Sequence, residues 1–220
     1  MQLPVLNDVP LKRHVDKEVE GEGISPMDPP EAYAVPTVPT IPDENLAEPL
    51  RRLMEEHERF LKVLTVFDNA LIALKENRWC FSPEISAGLK QFFQAMDHDI
   101  ARHTRLEEKY LFPSLEEKFL ASGEHSPGDH PITPIDVMEG DHARISQDSA
   151  LVFNLLGIGS RLTDAGSRDI VFEQVFAQGQ GIVEVMKLHI YKENTTLFPL
   201  AQQLLSTEEM GRIAQKMRNH

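Results

Sequence analysis

Apolar residues recur at helical spacing from Asp43 to Asn77: Leu46, Leu50, Leu53, Phe60, Leu61, Leu64, Phe67, Leu71 and Leu74, with His57 on the same stripe. That period predicts a long amphipathic helix, with Asp43 as its N-cap. Ser82-Pro83-Glu84 is a cap, a first-turn proline and a first-turn acid, so it opens a second helix running to about Leu111. Thr133-Pro134 opens a third, to about Leu156, and a fourth covers roughly Arg168 to Leu197. The breaker-rich stretches ASGEHSPGDHPI and GIGSRLTDAGS separate them. Ser206 and Glu209 form a capping box that starts a short C-terminal helix. Four long helices with ordinary connections bury their stripes most simply as an all-α four-helix bundle.

The pattern is absent from residues 1–42, which hold eight of the 15 prolines. Each proline fixes its own φ and biases its predecessor away from the helix, so this stretch reads as an extended arm. The expected organisation is therefore an arm over 1–42, a bundle over 43–205 and a short helix over 206–220. Composition narrows the function classes. The formal charge is −13 with no block of Lys or Arg, which argues against a nucleic acid partner and against an anionic membrane surface. No apolar run reaches the length of a membrane span. The N-terminus lacks the basic and apolar regions of a signal peptide, and Cys80 is the single cysteine. A reducing, cytoplasmic setting is expected.

An internal repeat carries the candidate chemistry. HTRLEEKYLFP (103–113) matches HIYKENTTLFP (189–199) at an offset of 86 (189 − 103). Upstream, Glu56-His57-Glu58-Arg59 matches Asp141-His142-Ala143-Arg144 at an offset of 85 (142 − 57). Each half thus holds acid-His-x-Arg on its first helix and H-x-x-x-E…LFP on its second. Residues four apart share a helical face, so His103/Glu107 and His189/Glu193 each present two prongs. His57 and His142 lie within apolar stripes and face the core. Burying two bare carboxylates is costly, and bound cations remove that cost.

On these motifs, over roughly Asp43–Leu205, the sequence resembles the hemerythrin-like family of HHE cation-binding domains. The resemblance implies an antiparallel, up-down-up-down bundle around a non-haem di-iron centre, with His57, His103, Glu107, His142, His189 and Glu193 as ligands. One departure stands out. Oxygen carriers of the family have a second histidine one turn after the third-helix ligand, where this chain has Ser146. Relatives that repair iron–sulfur centres carry a further histidine between the first-helix ligand and the H-x-x-x-E. No histidine falls between His57 and His98 here.

Two octahedral metals need twelve positions. Four histidines, two bridging glutamates and one oxo or hydroxo bridge fill ten, which leaves one open on each metal. Open positions favour binding, sensing or reducing O2, peroxide or NO, with weak peroxidase- or oxidase-like turnover as one form of this. Imidazole and carboxylate donors suit iron, ahead of manganese or zinc. The alternative is a non-catalytic iron- or metal-binding protein, or a metal-responsive regulator. A redox partner and a homodimer formed by exchange of the arm complete the expectations.

Other residues read more plainly. Asp99, one turn before His103, is a candidate to support the ligands, set against a helix-surface acid; Tyr110 and Tyr191 are candidates set against core packing. Glu56 and Asp141 read first as solvated helix pairs with Arg59 and Arg144. The LFP triplets are expected to kink or end their helices. His98, His125, His130, His14 and His220 are expected at the surface, and Met54, Met96, Met138 and Met186 in the packing.

Overall fold

The computed structural model describes residues 45–220. The arm over 1–42, His14 and the Asp43 cap fall outside the described residues. Among those described there are helices and no strand. In chain order they are α1 (Glu48–Glu76), α2 (Pro83–Ala95), α3 (Ala101–Leu106), α4 (Phe112–Ser122), α5 (Pro134–Gly159), α6 (Ala165–Lys192), α7 (Phe198–Leu204) and α8 (Thr207–Arg218). Three π-helical segments link members of this series: Met96–Ile100, Glu107–Leu111 and Glu193–Leu197.

The caps form where the sequence places them. Ser82 Oγ accepts from Ile85 N, with Pro83 in the first turn. Ser206 and Glu209 complete a reciprocal capping box at α8. Thr133 and Asp136 do similar work at α5: the Thr133 N–H donates to the Asp136 carboxylate at 2.7 Å, and Thr133 Oγ1 accepts from Ile135 N at 3.2 Å. The Asp164 carboxylate accepts from Ser167 N at 2.7 Å, which starts α6 at Ala165 rather than near Arg168.

The LFP triplets do something other than ending helices. The chain remains helical past Pro113 to Ser122 and past Pro199 to Leu204. Proline lacks an N–H and crowds the carbonyl four residues back, which breaks a regular ladder. Here the turn before each proline is widened instead. Phe112 N–H donates to Glu107 O, and Phe198 N–H donates to Glu193 O, each five residues back. A π turn shifts the ladder by one residue, so the proline enters a turn already relaxed.

Backbone proximity divides the chain into two compact units. Unit 1 takes the chain up to Met54, Arg105–Asp141 and Leu188–His220. Its core includes Leu50, Leu53, Leu115 and Met138, together with both Leu-Phe pairs, Leu111/Phe112 and Leu197/Phe198. α8 lays Met210, Ile213 and Met217 onto it. Arg218 and Glu48 at 3.1 Å, and Lys118 and Glu209 at 3.0 Å, fasten its ends.

Unit 2 takes Glu55–Thr104 and His142–Lys187. Phe67 and Phe92 stack at 3.8 Å in its interior, and Leu64, Leu71, Val152 and Val175 of the same unit are also buried. Arg78 and Trp79 turn the chain after α1 with positive φ, 50° and 62°. That is costly for side chains with a Cβ. Trp79 recovers it by burial, stacking at 5.8 Å on Phe172, while Asn77 Nδ2 donates to Cys80 O at 2.7 Å. A Cβ on Gly179 would lie 2.5 Å from Leu71 Cδ1, so α6 comes close to α1 here and any side chain at 179 would have to displace Leu71.

Two outcomes follow from this packing. Phe67→Ala removes a fully buried ring and should lower unfolding free energy by about 3–5 kcal/mol in denaturant titration; a loss well under 1 kcal/mol would mean the stack is not part of the core. The second concerns pH. Hydrogen bonds from Ser206 and the charge of Lys118 hold the Glu209 carboxyl down to about 2, against 4.5 ordinarily. A lowered acid stabilises the fold above its unfolded value and loses that contribution as pH falls. Glu209→Gln should therefore be less stable than the parent at neutral pH, and the gap should close between about 4.5 and about 2.

Candidate metal centre

Four histidines and two glutamates lie buried on these helices, each exposing 8% or less: His57, His103, Glu107, His142, His189 and Glu193. α1 carries His57, α3 His103, α5 His142 and α6 His189. Each glutamate is the first residue of a π segment. The widened turns demanded by Pro113 and Pro199 thus begin on the carboxylates themselves. The LFP triplets act on the site as well as on the core: they set the backbone at its two acids and bury Leu and Phe immediately after.

The donor atoms converge. Ligand atoms of His57, His103, Glu107 and Glu193 all lie within 4.8 Å of one another, and so do those of Glu107, His142, His189 and Glu193. The two groups share both glutamates. His57 Nε2 and His103 Nε2 are 3.0 Å apart, and His189 Nε2 is 3.3 Å from a Glu193 oxygen. Such groups could hold a metal ion.

The other nitrogen of each H-x-x-x-E histidine meets an acid. Glu56, buried on α1, lies 2.9 Å from His103 Nδ1 and also holds the Arg102 guanidinium. In the second half Asp141 lies 3.6 Å from His189 Nδ1 and 3.4 Å from the buried Lys192 ammonium. An acid on Nδ1 fixes the tautomer and turns the Nε2 lone pair towards the donor group. Phe60 packs edge-on to the His103 ring at 5.0 Å and limits its rotation further. This donor chemistry fits a bound cation: Nε2 faces inward, Nδ1 is held, and two carboxylates are common to both groups.

Electrostatics follow the same pairs. Burial would push the Glu56 carboxyl up, but His103 and Arg102 outweigh it and hold it at about 2. Asp141 is also held low: burial opposes this, and His189 and Lys192 prevail. Burial would push His189 down, yet the charge of Glu193, with Asp141 and Glu107, pushes it up to about 10. The metal-free chain therefore keeps His189 protonated at neutral pH.

Glu56 and Asp141 correct the first reading of the sequence. They are buried acids placed against the histidines of the two H-x-x-x-E motifs, rather than solvated partners of nearby arginines. Exposed Arg59 does reach Glu56 at 3.6 Å, but Arg144 pairs with Asp148 at 3.5 Å. The signal was present in the chain: an acid immediately before His57 and before His142. Read as an i,i+3 pair it points to solvent; read with the repeat it points to the next helix. Asp99 is exposed, as a helix-surface acid would be. Tyr110 is half-buried with its hydroxyl 3.2 Å from His220 Nδ1, and Tyr191 is half-buried, its carbonyl accepting from Thr195 Oγ1. His98, His130 and His220 are exposed as expected, whereas His125 is half-buried with Nδ1 2.8 Å from Ser126 O.

The family model of the hemerythrin HHE cation-binding domain matches residues 48–201. The chain belongs to this family. Comparison with curated proteins finds no match. Among the described residues no helix is long and apolar enough to cross a membrane.

The acid–histidine pairs can be tested singly. Glu56→Ala and Asp141→Ala should each weaken metal binding by about 10–100-fold, measured by competition with a chromophoric chelator. Unchanged affinity in both would remove their positioning role. Because a metal takes the lone pair that the His189 proton occupies, uptake should release protons. Affinity should rise with pH up to about 10, read as buffer-dependent heat in calorimetry.

Proposed function

We propose that the six buried residues hold two iron ions and that the protein is a non-haem di-iron protein which binds, senses or reduces O2, peroxide or NO. The observation that carries this is the sharing of Glu107 and Glu193 by two otherwise distinct His/Glu groups. Two cations would account for that sharing, whereas one cation held by either group would leave two of the four histidines idle. The antiparallel up-down-up-down bundle belongs to the same reading, supported by family membership and by four long helical stretches joined through short connections. So do a cytoplasmic setting, a redox partner to return electrons, and a homodimer joined through the arm.

His57 and His103 would hold one ion and His142 and His189 the other, with Glu107 and Glu193 available to both. When bound, a reduced iron pair supplies two electrons and open coordination positions. The chain's own residues do the rest. Glu56 holds the Nδ1 proton of His103 by a hydrogen bond and Asp141 attracts that side of His189 across 3.6 Å, which favours Nε2 as the free donor of both rings. Arg102 and Lys192 balance those acids and keep them ionised. Phe60 covers the His103 ring and excludes water from that side. Ser146, where an oxygen carrier has histidine, is exposed and offers no imidazole, which favours reaction or sensing over reversible O2 carriage.

Anaerobic loading with Fe(II) should give two irons per chain and, on oxidation, charge-transfer absorption. Stopped-flow mixing of the reduced protein with O2, H2O2 and NO should show at least one reaction faster than that of free iron. A chain that takes up zinc stoichiometrically and no iron would overturn the proposal, as would inertness to all three.

A further inference from the structure

Unit 2 contains a cavity of about 390 Å³ against α5 and the run from α2 to α3. Most of its wall is apolar: Phe93, Met96, Ala101, Ala150 and Phe153. One polar atom in it is out of place. Ser149 lines the cavity, is only 5% exposed, and its Oγ finds no hydrogen-bond partner among the described residues. A helical serine ordinarily turns its hydroxyl to a carbonyl on the preceding turn, and an unmatched buried hydroxyl destabilises a fold. The neighbouring Asn154 is satisfied, donating to Ala150 O at 2.8 Å.

A second observation lies on the opposite wall. Met96 and Asp97 belong to the π segment Met96–Ile100. The matching stretch of the other half-repeat, Ile182–Met186, is regular α-helix. No proline follows Met96–Ile100 to demand the widened turn, unlike the other two π segments. π turns are found often at functional sites, and this one shapes the cavity wall.

The lining also defines what would fit. None of its residues is basic, and the chain carries a net charge of −13, so an anion is disfavoured. The one acid, Asp97, is exposed and well hydrated, so it holds a cation poorly. Apolar cavities of roughly 150 Å³ already accept benzene; this one is larger. A second cavity, of about 640 Å³, shares Phe93, Asp97 and Phe153 with it but brings Lys90 and Arg161 to its wall, so the uncharged ligand is assigned to the first. Phe153 is 61% exposed and stands edge-on to Phe93 at 5.1 Å, an aromatic pair at the rim.

We propose that this cavity binds an uncharged small molecule with an apolar body and one hydrogen-bonding oxygen, that oxygen seated on Ser149 Oγ. The placement has a consequence for chemistry. Ser149 follows His142 by seven residues, two turns along the same helical face, and Met96 precedes His103 by the same interval. The oxygen's seat at Ser149 therefore lies roughly 10 Å along α5 from His142, while Ser146 and Ala101, which also line the cavity, stand four residues from His142 and two from His103, a seat for an organic co-substrate. None of the lining residues is a candidate metal ligand, so the site stands whether or not the iron proposal does.

Phenol and toluene test this, being alike in size and differing in the oxygen. Titrations of the full-length, metal-free chain followed by NMR should show saturable binding of both, phenol the tighter. Ser149→Ala should weaken phenol by about three- to tenfold, the size of one neutral hydrogen bond, and leave toluene within about twofold. The same variant should melt no lower than the parent, because it removes an unmatched buried hydroxyl. Ala150→Phe, at an exposed position of α5 that lines the cavity, should abolish both without loss of fold. The proposal is overturned if neither probe saturates, if phenol binds Ser149→Ala as well as the parent, if Ala150→Phe binds normally, or if Ser149→Ala is clearly destabilised.

Discussion

Six histidine and glutamate side chains with almost no solvent access impose the constraint on which this protein depends. Glu107 and Glu193 are fully buried, and a carboxylate so placed is destabilising unless opposite charge comes with it. Part of that charge is internal: His189, protonated in the metal-free chain, answers Glu193 and Glu107. The remainder points to cations, since the two donor groups share both acids. The outer residues answer the same demand. Glu56 with Arg102, and Asp141 with Lys192, are buried or half-buried pairs whose charges cancel close to the rings they orient.

The backbone is adapted to the same end. A π turn is a poor element energetically, and two of them begin on the shared glutamates. Proline six residues on explains why the regular ladder yields there. Leucine and phenylalanine between glutamate and proline then anchor the loosened turn, buried in the core of unit 1. One triplet thus joins a local defect at the site to stable packing beyond it. The third π turn, Met96–Ile100, has no proline behind it, and beside it lies a cavity with a single unmatched hydroxyl.

How much of this was legible in the chain depends on the range of the interaction. Helix starts are local, and Ser82, Thr133 and Ser206 announced them through caps whose partners lie within four residues. The six buried donors were legible because the repeat states them twice, each on an apolar face or one turn from its partner. The family match over residues 48–201 agrees with the resemblance those motifs carry. The ends of the second and fourth helices were misjudged, because Pro113 and Pro199 read as breakers to any rule that assumes a regular ladder.

The sequence by itself therefore determined the all-helical class and the capped helix starts through periodicity and local caps, and the resemblance of its repeated motifs pointed to the family and to the six candidate donors. Only the tertiary structure decided what faces each histidine from a different helix. Glu56 and Asp141 looked like solvated surface acids because an i,i+3 arginine is visible in sequence, whereas His103, 47 residues from Glu56, is not. The cavity at Ser149 belongs to the same class: whether a buried hydroxyl finds a partner depends on atoms brought together by packing, and no local pattern encodes that.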